Sequence, residues 1–296
     1  MSVTNFIPTI WSARLLAHLD KKHVYAALVN RDYEGEIKNY GDTVKINQIG
    51  DITIQDYQKG KDIADPEDLS GDQTILTIDQ AKYFNFAIDD VDKAQVNPKL
   101  MDAAMQRAAY GMNDVTDLFL ANLMYLAAQN NGSNLGSDTS AVVPTKSDAY
   151  DYLVDLGTDL TEKDVPTEGR WVVIPAWYHG LLLKDNRFVG NGTDYNKALI
   201  EGGEVGVAAG FRVWLSNNVP NTKGALYKII AGTNAGASYA EQILETKAYS
   251  PEKRFADAVK GLHVYGGKVV QPKCLSVLTA SKTAPDPTPV TPPSGS

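Results

Sequence analysis

Alternating apolar and polar positions predict strands in the first third of the chain. Phe84, Phe86 and Ile88, for example, occupy every second position, with smaller or polar residues between them. A period of two puts one set of side chains on each face of a strand. The segment 56–72 contains six acids, two lysines, two glycines and a proline, so it cannot form a core of its own. We therefore predict an extended β-hairpin over residues 41–93 with a polar tip.

The next pattern has the period of a helix. Apolar residues recur every three or four positions from Met101 to Leu126. Asn97 suits a helix N-cap, Pro98 suits the first helical position, and turn-forming residues follow at 130–133. The pattern predicts a helix over residues 98–129, about 45–50 Å long. A helix of that length beside a long hairpin indicates an extended plate.

The segment 147–245 alternates helix and strand signals, and the β pattern continues after it. The predicted elements are a helix that Ser147 caps and that carries Leu153, Leu156 and Leu160, a buried strand over 170–175, a short helix over 176–183, strands within 206–220 and over 226–232, a helix over 237–244, and a hairpin with its turn at Gly266 and Gly267.

The two ends of the chain differ from its middle. Trp11 to Val29 has the apolar spacing of a short amphipathic helix, with Arg14 on its polar side, so residues 1–40 are predicted to form an arm. Residues 281–296 contain five prolines and are predicted to be disordered or polyproline-like. No basic segment precedes an apolar run at the N-terminus, so we expect no signal peptide.

The composition argues against several classes of protein. The formal net charge of −8, from 28 Lys and Arg against 36 Asp and Glu, argues against a protein that binds nucleic acid by neutralising phosphates. It is compatible with a protein that encloses DNA. The chain has one cysteine, Cys274, so it forms no internal disulfide, and it has no cysteine spacing typical of structural zinc. Folding in a reducing cytoplasm is expected. No apolar stretch is long enough to span a membrane.

Motifs for catalysis or cofactor binding are absent from the sequence. The four histidines have no metal-ligand spacing, and Asp89, Asp90 and Asp92 lack the pattern of a calcium loop. No nucleotide-binding glycine motif or hydrolase elbow occurs. We therefore predict no catalytic, metal or cofactor-binding residues and no cofactor. An enzyme built on the segment 147–245 stays open as an alternative class.

Several short segments carry a family resemblance. They are Arg-Trp-Val-Val-Ile-Pro at 170–175, Gly-Val-Ala-Ala-Gly-Phe at 206–211, Ser-Asn-Asn-Val-Pro at 216–220, and the run 248–262 that leads into Val264, Tyr265 and Gly266. In this order the chain resembles the major capsid (coat) proteins of tailed double-stranded-DNA bacteriophages, which have the Hong Kong 97-type fold. It is most similar to those without a fused scaffolding segment.

The resemblance implies an α+β fold with defined parts. They are an N-terminal arm at 1–40, an extended loop at 41–93, a peripheral domain at 94–146 whose spine helix covers 98–129, an axial α/β domain at 147–245, a return β segment of the peripheral domain at 246–280, and the Pro-rich tail at 281–296.

The resemblance also implies a structural role. Subunits would form hexamers and pentamers that close into an icosahedral capsid around the DNA, without sequence-specific binding and without a membrane. A separate scaffolding protein and a portal are expected, the tail could bind a decoration protein, and assembly would take place in the host cytoplasm before the protein becomes part of the virion. The inter-subunit contact candidates are Trp11, Arg14, Lys59, Lys61, Asp62, Glu67 and Asp68.

Maturation in this family expands the shell, and this implies positions in the subunit at which the backbone bends. The candidates are Gly60, Gly71 and Gly111. Some members join a loop lysine covalently to an asparagine of a neighbour, and Lys59 and Lys61 occupy the corresponding loop here, although solvated lysines are the interpretation we favour. An encapsulin-like nanocompartment shell, which uses the same fold, is the alternative function.

Overall fold

The computed structural model describes residues 24–33, 40–49, 71–89, 98–185, 204–252 and 256–282, together with residues 54, 56, 59, 60 and 62. Several of the predicted features fall outside these residues: the arm residues Trp11 and Arg14, the loop residues Lys61, Glu67 and Asp68, and the tail from residue 283 onward.

Four helices and twelve strands make up the described part of the chain. The helices are α1 (Tyr25–Leu28), α2 (Pro98–Asn130), α3 (Ala149–Glu162) and α4 (Ala176–Leu182). The strands are β1 (Thr43–Ile49), β2 (Gly71–Thr77), β3 (Gln80–Asp89), β4 (Asn134–Leu135), β5 (Trp171–Ile174), β6 (Glu204–Ala208), β7 (Phe211–Leu215), β8 (Asn221–Thr222), β9 (Leu226–Gly232), β10 (Ala237–Tyr249), β11 (Ala256–Val269) and β12 (Leu275–Ser281).

The strands form three sheets. β1 and β2 form an antiparallel hairpin, and β10, β11 and β3 form a three-stranded antiparallel sheet in that order. The remaining strands form a mixed sheet in the order β4-β12-β9-β5-β7-β6, with β8 paired to β9. The β4–β12 and β5–β7 pairs of this large sheet are parallel. The chain therefore builds two sheet-based units, with a hairpin beside them.

Helix α2 connects the two larger sheets through its apolar face. Its first half packs on the three-stranded sheet, where Met105, Ala109 and Met112 meet Phe84, Phe86 and Val259. Its second half packs on one face of the large sheet, where Leu120, Met124 and Ala128 meet Trp171, Val173 and Ile230. Helices α3 and α4 cover the opposite face of the large sheet. The buried face of one 33-residue helix thus serves two cores.

Most of the elements predicted from the sequence are present. The predicted helix over 98–129 is confirmed as α2, and the predicted buried strand over 170–175 is confirmed as β5, whose four residues are all buried. Helix α4 follows β5 as expected. The hairpin is confirmed for β1 and β2, but the strand with Phe84 and Phe86 leaves it and pairs with β11. Among the described residues, no helix is long and apolar enough to cross a membrane.

The helix predicted over 237–244 is wrong. Residues Ala237–Tyr249 form strand β10, which pairs along its length with β11, apart from a register shift between Ile243 and Glu245. Helical propensity in the Ala-rich start of this segment is weak, and pairing with a long neighbouring strand outweighs it.

The predicted hairpin turn at Gly266 and Gly267 is also wrong. Both glycines lie inside β11, where the backbone continues without a turn. A side chain at Gly266 would collide with the carbonyl oxygen of Thr77, and a Cβ at Gly267 would lie 3.0 Å from Leu120 Cδ2. These glycines therefore allow the hairpin and α2 to approach the sheet closely.

Helix α3 begins one residue later than Ser147 would place it. Its N-cap is Asp148, whose carboxylate accepts hydrogen bonds from the backbone N–H and the hydroxyl of Thr145 at 2.5 and 2.9 Å. Ser147 is therefore not the cap. The apolar positions predicted for this helix, Leu153, Leu156 and Leu160, are fully buried.

Candidate assembly surfaces

The hairpin is attached to the body through an apolar base. Val44 and Ile46 of β1 and Leu76 of β2 face inward, together with Ile78 just after β2. They pack on Ala240 and Val264 of the three-stranded sheet. The opposite side of the hairpin faces water and carries Lys45 and the half-exposed Ile75, which are paired across the two strands.

The described residues of the hairpin tip are exposed. Ile54 is 95% exposed, and Asp56, Lys59, Gly60 and Asp62 are exposed as well. Gly60 has a φ of +88°, a left-handed conformation that favours glycine. Ile54 therefore leaves an apolar side chain open to contact, in the same stretch as the charged Asp56, Lys59 and Asp62.

The predicted contact and flexing residues are placed only in part. Lys59 and Asp62 lie in the same exposed stretch as Gly60. Gly71 pairs with Ile49 where the two hairpin strands meet the tip. Gly111 lies on the exposed side of α2, with nothing within 4 Å of the position of a Cβ, and the helix continues through it.

The exposed side of α2 carries a stripe of large apolar residues. Val115, Leu118 and Leu126 are partly or largely exposed there, and Gly111 and the polar Asn122 lie in the same row. Their spacing of three and four residues places them on one face of the helix, away from the two sheets. The sequence pattern for a long helix included some of these positions, but it did not distinguish the buried face from the exposed one.

A groove on the three-stranded sheet was missed by the sequence analysis. It has a volume of about 330 Å³ and is lined by Tyr83, Asn85, Lys247, Lys260, Gly261 and Leu262. Tyr83 is 77% exposed. Lys247 and Lys260 are directly opposite each other on β10 and β11. The sequence signal was present in β3, where Tyr83 and Asn85 alternate with the inward-facing Phe84 and Phe86.

The end of the arm is anchored by a buried carboxylate on α2. Asp117 accepts hydrogen bonds from the backbone N–H groups of Val24, Tyr25 and Ala26, at 2.9, 3.2 and 3.4 Å. It thereby caps α1 from outside that helix. Burial, and next the charge of Asp117, raise the pKa of the Tyr25 hydroxyl. Asp117 therefore holds residues 24–26 against α2.

A second polar cluster holds the same segment to β10. Glu241 accepts hydrogen bonds from Arg31 Nη2 at 2.7 Å, from the Tyr239 hydroxyl at 2.7 Å and from His263 Nε2 at 3.0 Å. Because a carboxylate only accepts, the proton of a neutral His263 lies on Nε2. Burial, and then Glu241, raise the pKa of Tyr239, so this hydroxyl stays protonated and keeps donating. Sequence spacing could not indicate a contact between residues 31 and 241.

The described residues contain no candidate metal centre. No group of three or more His, Cys, Asp or Glu side chains that could hold a metal ion occurs within them. Asp89 ends β3, whereas Asp90 and Asp92 lie outside the described part of the chain. His179 is half-buried, and burial lowers its pKa.

Comparison with known proteins identifies the family. The family model described as phage capsid protein matches residues 71–278, which is more than two thirds of the chain. The chain belongs to the phage capsid protein family. It is a structural capsid subunit, and the Hong Kong 97-type fold class predicted from the sequence is confirmed. A comparison with curated protein sequences gives no match.

Solved structures agree with this family. A solved structure from Mycobacterium phage Che8 is 29% identical in sequence to this chain. The alignment covers 87% of this chain and 91% of that chain, with a TM-score of 0.69. The capsid structure of cyanophage P-SCSP1u is 15% identical over 89% of each chain, with a TM-score of 0.66. The crystal structure of a virus-like particle from Pyrococcus furiosus is 13% identical in sequence. The alignment covers 90% of this chain and 97% of that chain, with a TM-score of 0.53.

Proposed function

We propose that this capsid subunit assembles as hexamers and pentamers into a closed icosahedral shell around double-stranded phage DNA. The observation that carries the proposal is the hairpin. Among its described residues, the buried apolar side chains lie at the base, while Ile54, Asp56, Lys59 and Asp62 of the tip are exposed in the single chain. A tip of this kind needs another surface to lie on. An adjacent subunit of the same capsomer provides that surface.

The arm and α2 form the second set of contacts, between capsomers. The cap at Asp117 and the cluster around Glu241 hold residues 24–31 against the body, which supports contacts with a neighbour by the preceding residues. Trp11 and Arg14 lie farther along this arm and reach a neighbour. The exposed stripe of α2 meets a neighbouring capsomer in the same way. Many modest contacts per subunit give a stable shell through multivalency, and their individual weakness permits correction during assembly.

The charge of the chain fits enclosure of DNA. With a net charge of −8, a shell wall repels phosphates and lets DNA move during packing. Contact with DNA is therefore non-specific. A separate scaffolding protein directs assembly in the cytoplasm of the bacterial host, a portal occupies one vertex, and the Pro-rich tail is available to a decoration protein.

A nanocompartment shell is the second candidate function. The similarity in fold to the virus-like particle from Pyrococcus furiosus favours it. The two functions differ in what the particle contains. Nucleic acid of genome length in purified particles supports the viral function, whereas an enclosed enzyme without nucleic acid supports the nanocompartment.

Electron microscopy and sedimentation of the purified protein test the assembly. We expect hollow icosahedral particles or hexameric rings, with or without a co-expressed scaffolding protein. A stable monomer under all of these conditions, together with catalytic activity, would contradict the proposal and direct attention to the segment 147–245.

A further inference from the structure

The outer side of α2 differs from an ordinary water-facing helix surface between residues 110 and 130. The structure describes all of these residues, and none of the exposed side chains among them is charged. Tyr110, Leu118 and Leu126 are 58%, 37% and 54% exposed there. A helix that faces water usually carries charged residues on its outer side. Depletion of charge around apolar and aromatic side chains is typical of the centre of a protein interface.

The outer side of α2 has a ridge with a groove beside it. Five residues recur at intervals of four and form one continuous row that is inclined to the helix axis, namely Tyr110, Asp114, Leu118, Asn122 and Leu126. The adjacent row contains Gly111 and Val115. Nothing lies within 4 Å of the position of a Cβ on Gly111, so the groove beside the ridge is open. A ridge of this spacing fits the corresponding groove of a second helix at a crossing angle of about 50°.

The ridge is complementary to a second copy of itself. When two such helices run antiparallel around a two-fold axis near Leu118, each residue meets the one that lies equally far on the other side of position 118. Tyr110 of one chain then packs on Leu126 of the other, and the Asn122 amide donates a hydrogen bond to the Asp114 carboxylate. The two Leu118 side chains lie next to each other, and like charges do not meet.

The charge of the chain favours a second copy as the occupant of this ridge. Each subunit has a net charge of −8, so copies repel one another overall and are best joined through a face with few acids. The ridge contains one half-buried acid, Asp114, and the antiparallel arrangement provides an amide for it. A contact in which one face meets itself across a two-fold axis is also the commonest way in which identical subunits associate.

We infer that the α2 helices of two neighbouring subunits pack against each other, antiparallel, across a two-fold axis near Leu118. The inference rests on the proposed function, because it joins subunits of one shell. It adds the partner, the direction and the central residue of the contact made by the exposed stripe. Two crossing helices bury less surface than a stable dimer needs, so the contact forms in shells and not between isolated subunits.

A cysteine at position 118 tests the axis. Shells of Leu118→Cys treated with a short bismaleimide should give covalent dimers on a denaturing gel, since a residue near a two-fold axis meets its own copy. The unassembled Leu118→Cys subunit should stay monomeric. Gln129→Cys, exposed near the end of the same helix, is the matched control and should give no dimers in shells. The unchanged chain controls for Cys274, which is buried.

A mixed pair of variants tests the direction of packing. Tyr110→Cys and Leu126→Cys should each give monomers in their own shells, because each position lies about 12 Å along the helix from Leu118. Shells that contain both variants should give dimers, since Tyr110 of one chain meets Leu126 of the other. Parallel packing would instead link each variant to itself and would contradict the antiparallel arrangement.

A charge at the axis tests whether the contact matters for assembly. Leu118→Glu should lower the yield of shells roughly tenfold at low salt, because two carboxylates then lie side by side. Added salt should restore part of this yield, and the uncharged Leu118→Gln should lose less. Circular dichroism of the subunit confirms that each variant is folded. Unchanged assembly of Leu118→Glu would contradict a contact at this residue.

The failure of this inference is distinct from the failure of the proposed function. Normal shells that give no Leu118→Cys dimers would show that the ridge does not meet itself. A cross-link from Leu118→Cys to a scaffolding protein would assign the ridge to that partner. Dimers from Gln129→Cys in place of Leu118→Cys would overturn the axis position. Failure of the unchanged chain to assemble under any condition would instead contradict the proposed function.

Discussion

Among single residues, Asp117 shows how a buried carboxylate can hold a short helix against the body of the subunit. Its side chain is almost fully buried on α2, yet it faces three backbone N–H groups at the start of α1. Four orphan N–H groups occur at every helix start, and here one carboxylate satisfies most of them. A helix of only four residues would not be stable alone in water, so it relies on this cap and on the buried packing of Tyr25, Ala26 and Leu28.

Asp117→Ala should release the arm. The substitution removes the acceptor of three backbone N–H groups, two of them buried, and should lower the free energy of unfolding of the unassembled subunit by about 2–3 kcal/mol. Chemical denaturation measures this loss, and hydrogen exchange at residues 24–28 should become faster. Asp114→Ala, one turn earlier on α2, is the matched control and should change neither quantity by much. Equal exchange in the two variants would mean that packing alone holds α1.

Among the helices and strands, those that local signals specify could be predicted from the sequence, and those that long-range pairing imposes could not. Helix α2 was predicted within one residue because its cap, its period and its stop are all local signals. Strand β10 was mistaken for a helix because its conformation is imposed by pairing with β11. Gly266 was assigned to a turn because its real role, close approach to Thr77, depends on a segment that is far away in the chain.

The candidate surfaces also divide into locally encoded features and features that depend on distant parts of the chain. The polar tip of the hairpin was visible in composition, and the structure places Lys59 and Asp62 in exposed positions. The groove with Lys247 and Lys260 could not be found from spacing, because its two lysines are on different strands and its aromatic residue is on a third. Sequence patterns show which face of one strand is polar, whereas a groove needs the register between strands.

The hairpin tip should be dispensable for folding and necessary for assembly. Ile49 and Gly71 are paired, so replacing residues 50–70 by Asn-Gly closes the hairpin with a two-residue turn. The apolar base is kept, and the melting temperature of the subunit should be nearly unchanged. Sedimentation should show subunits and no shells. Normal shells from this variant would show that the tip makes no essential contact.

Gly111→Ala should separate helix stability from shell maturation. Nothing lies within 4 Å of the new Cβ, so the alanine fits and should stabilise the subunit by about 0.5–1 kcal/mol through helix propensity. If Gly111 is a point of bending, expansion of the shell should become slower or incomplete. Denaturation of the subunit and the change in particle diameter on expansion measure the two effects. Normal expansion would remove Gly111 from the flexing residues.

In the molecule as a whole, the packed cores are distinct from the exposed surfaces that are free to contact a neighbouring subunit. Two sheets share one long helix, and their side chains are packed in continuous cores. The exposed features are the hairpin tip, the stripe on α2 and the groove on the three-stranded sheet. Such a division suits a shell subunit, because the body keeps its shape while the exposed parts adjust to hexameric and pentameric neighbours.

Whether the shell is also joined covalently depends on the surroundings of the loop lysines. A lysine attacks an asparagine side chain only as a neutral amine, which requires a site that removes water and disfavours the charged form. Lys59 is exposed to water beside Gly60 in a turn. We therefore expect mature particles to give a single monomer band on a denaturing gel. A ladder of multimers that disappears in Lys59→Arg or Lys61→Arg particles would instead establish a cross-link and require that a neighbour bury that lysine after assembly.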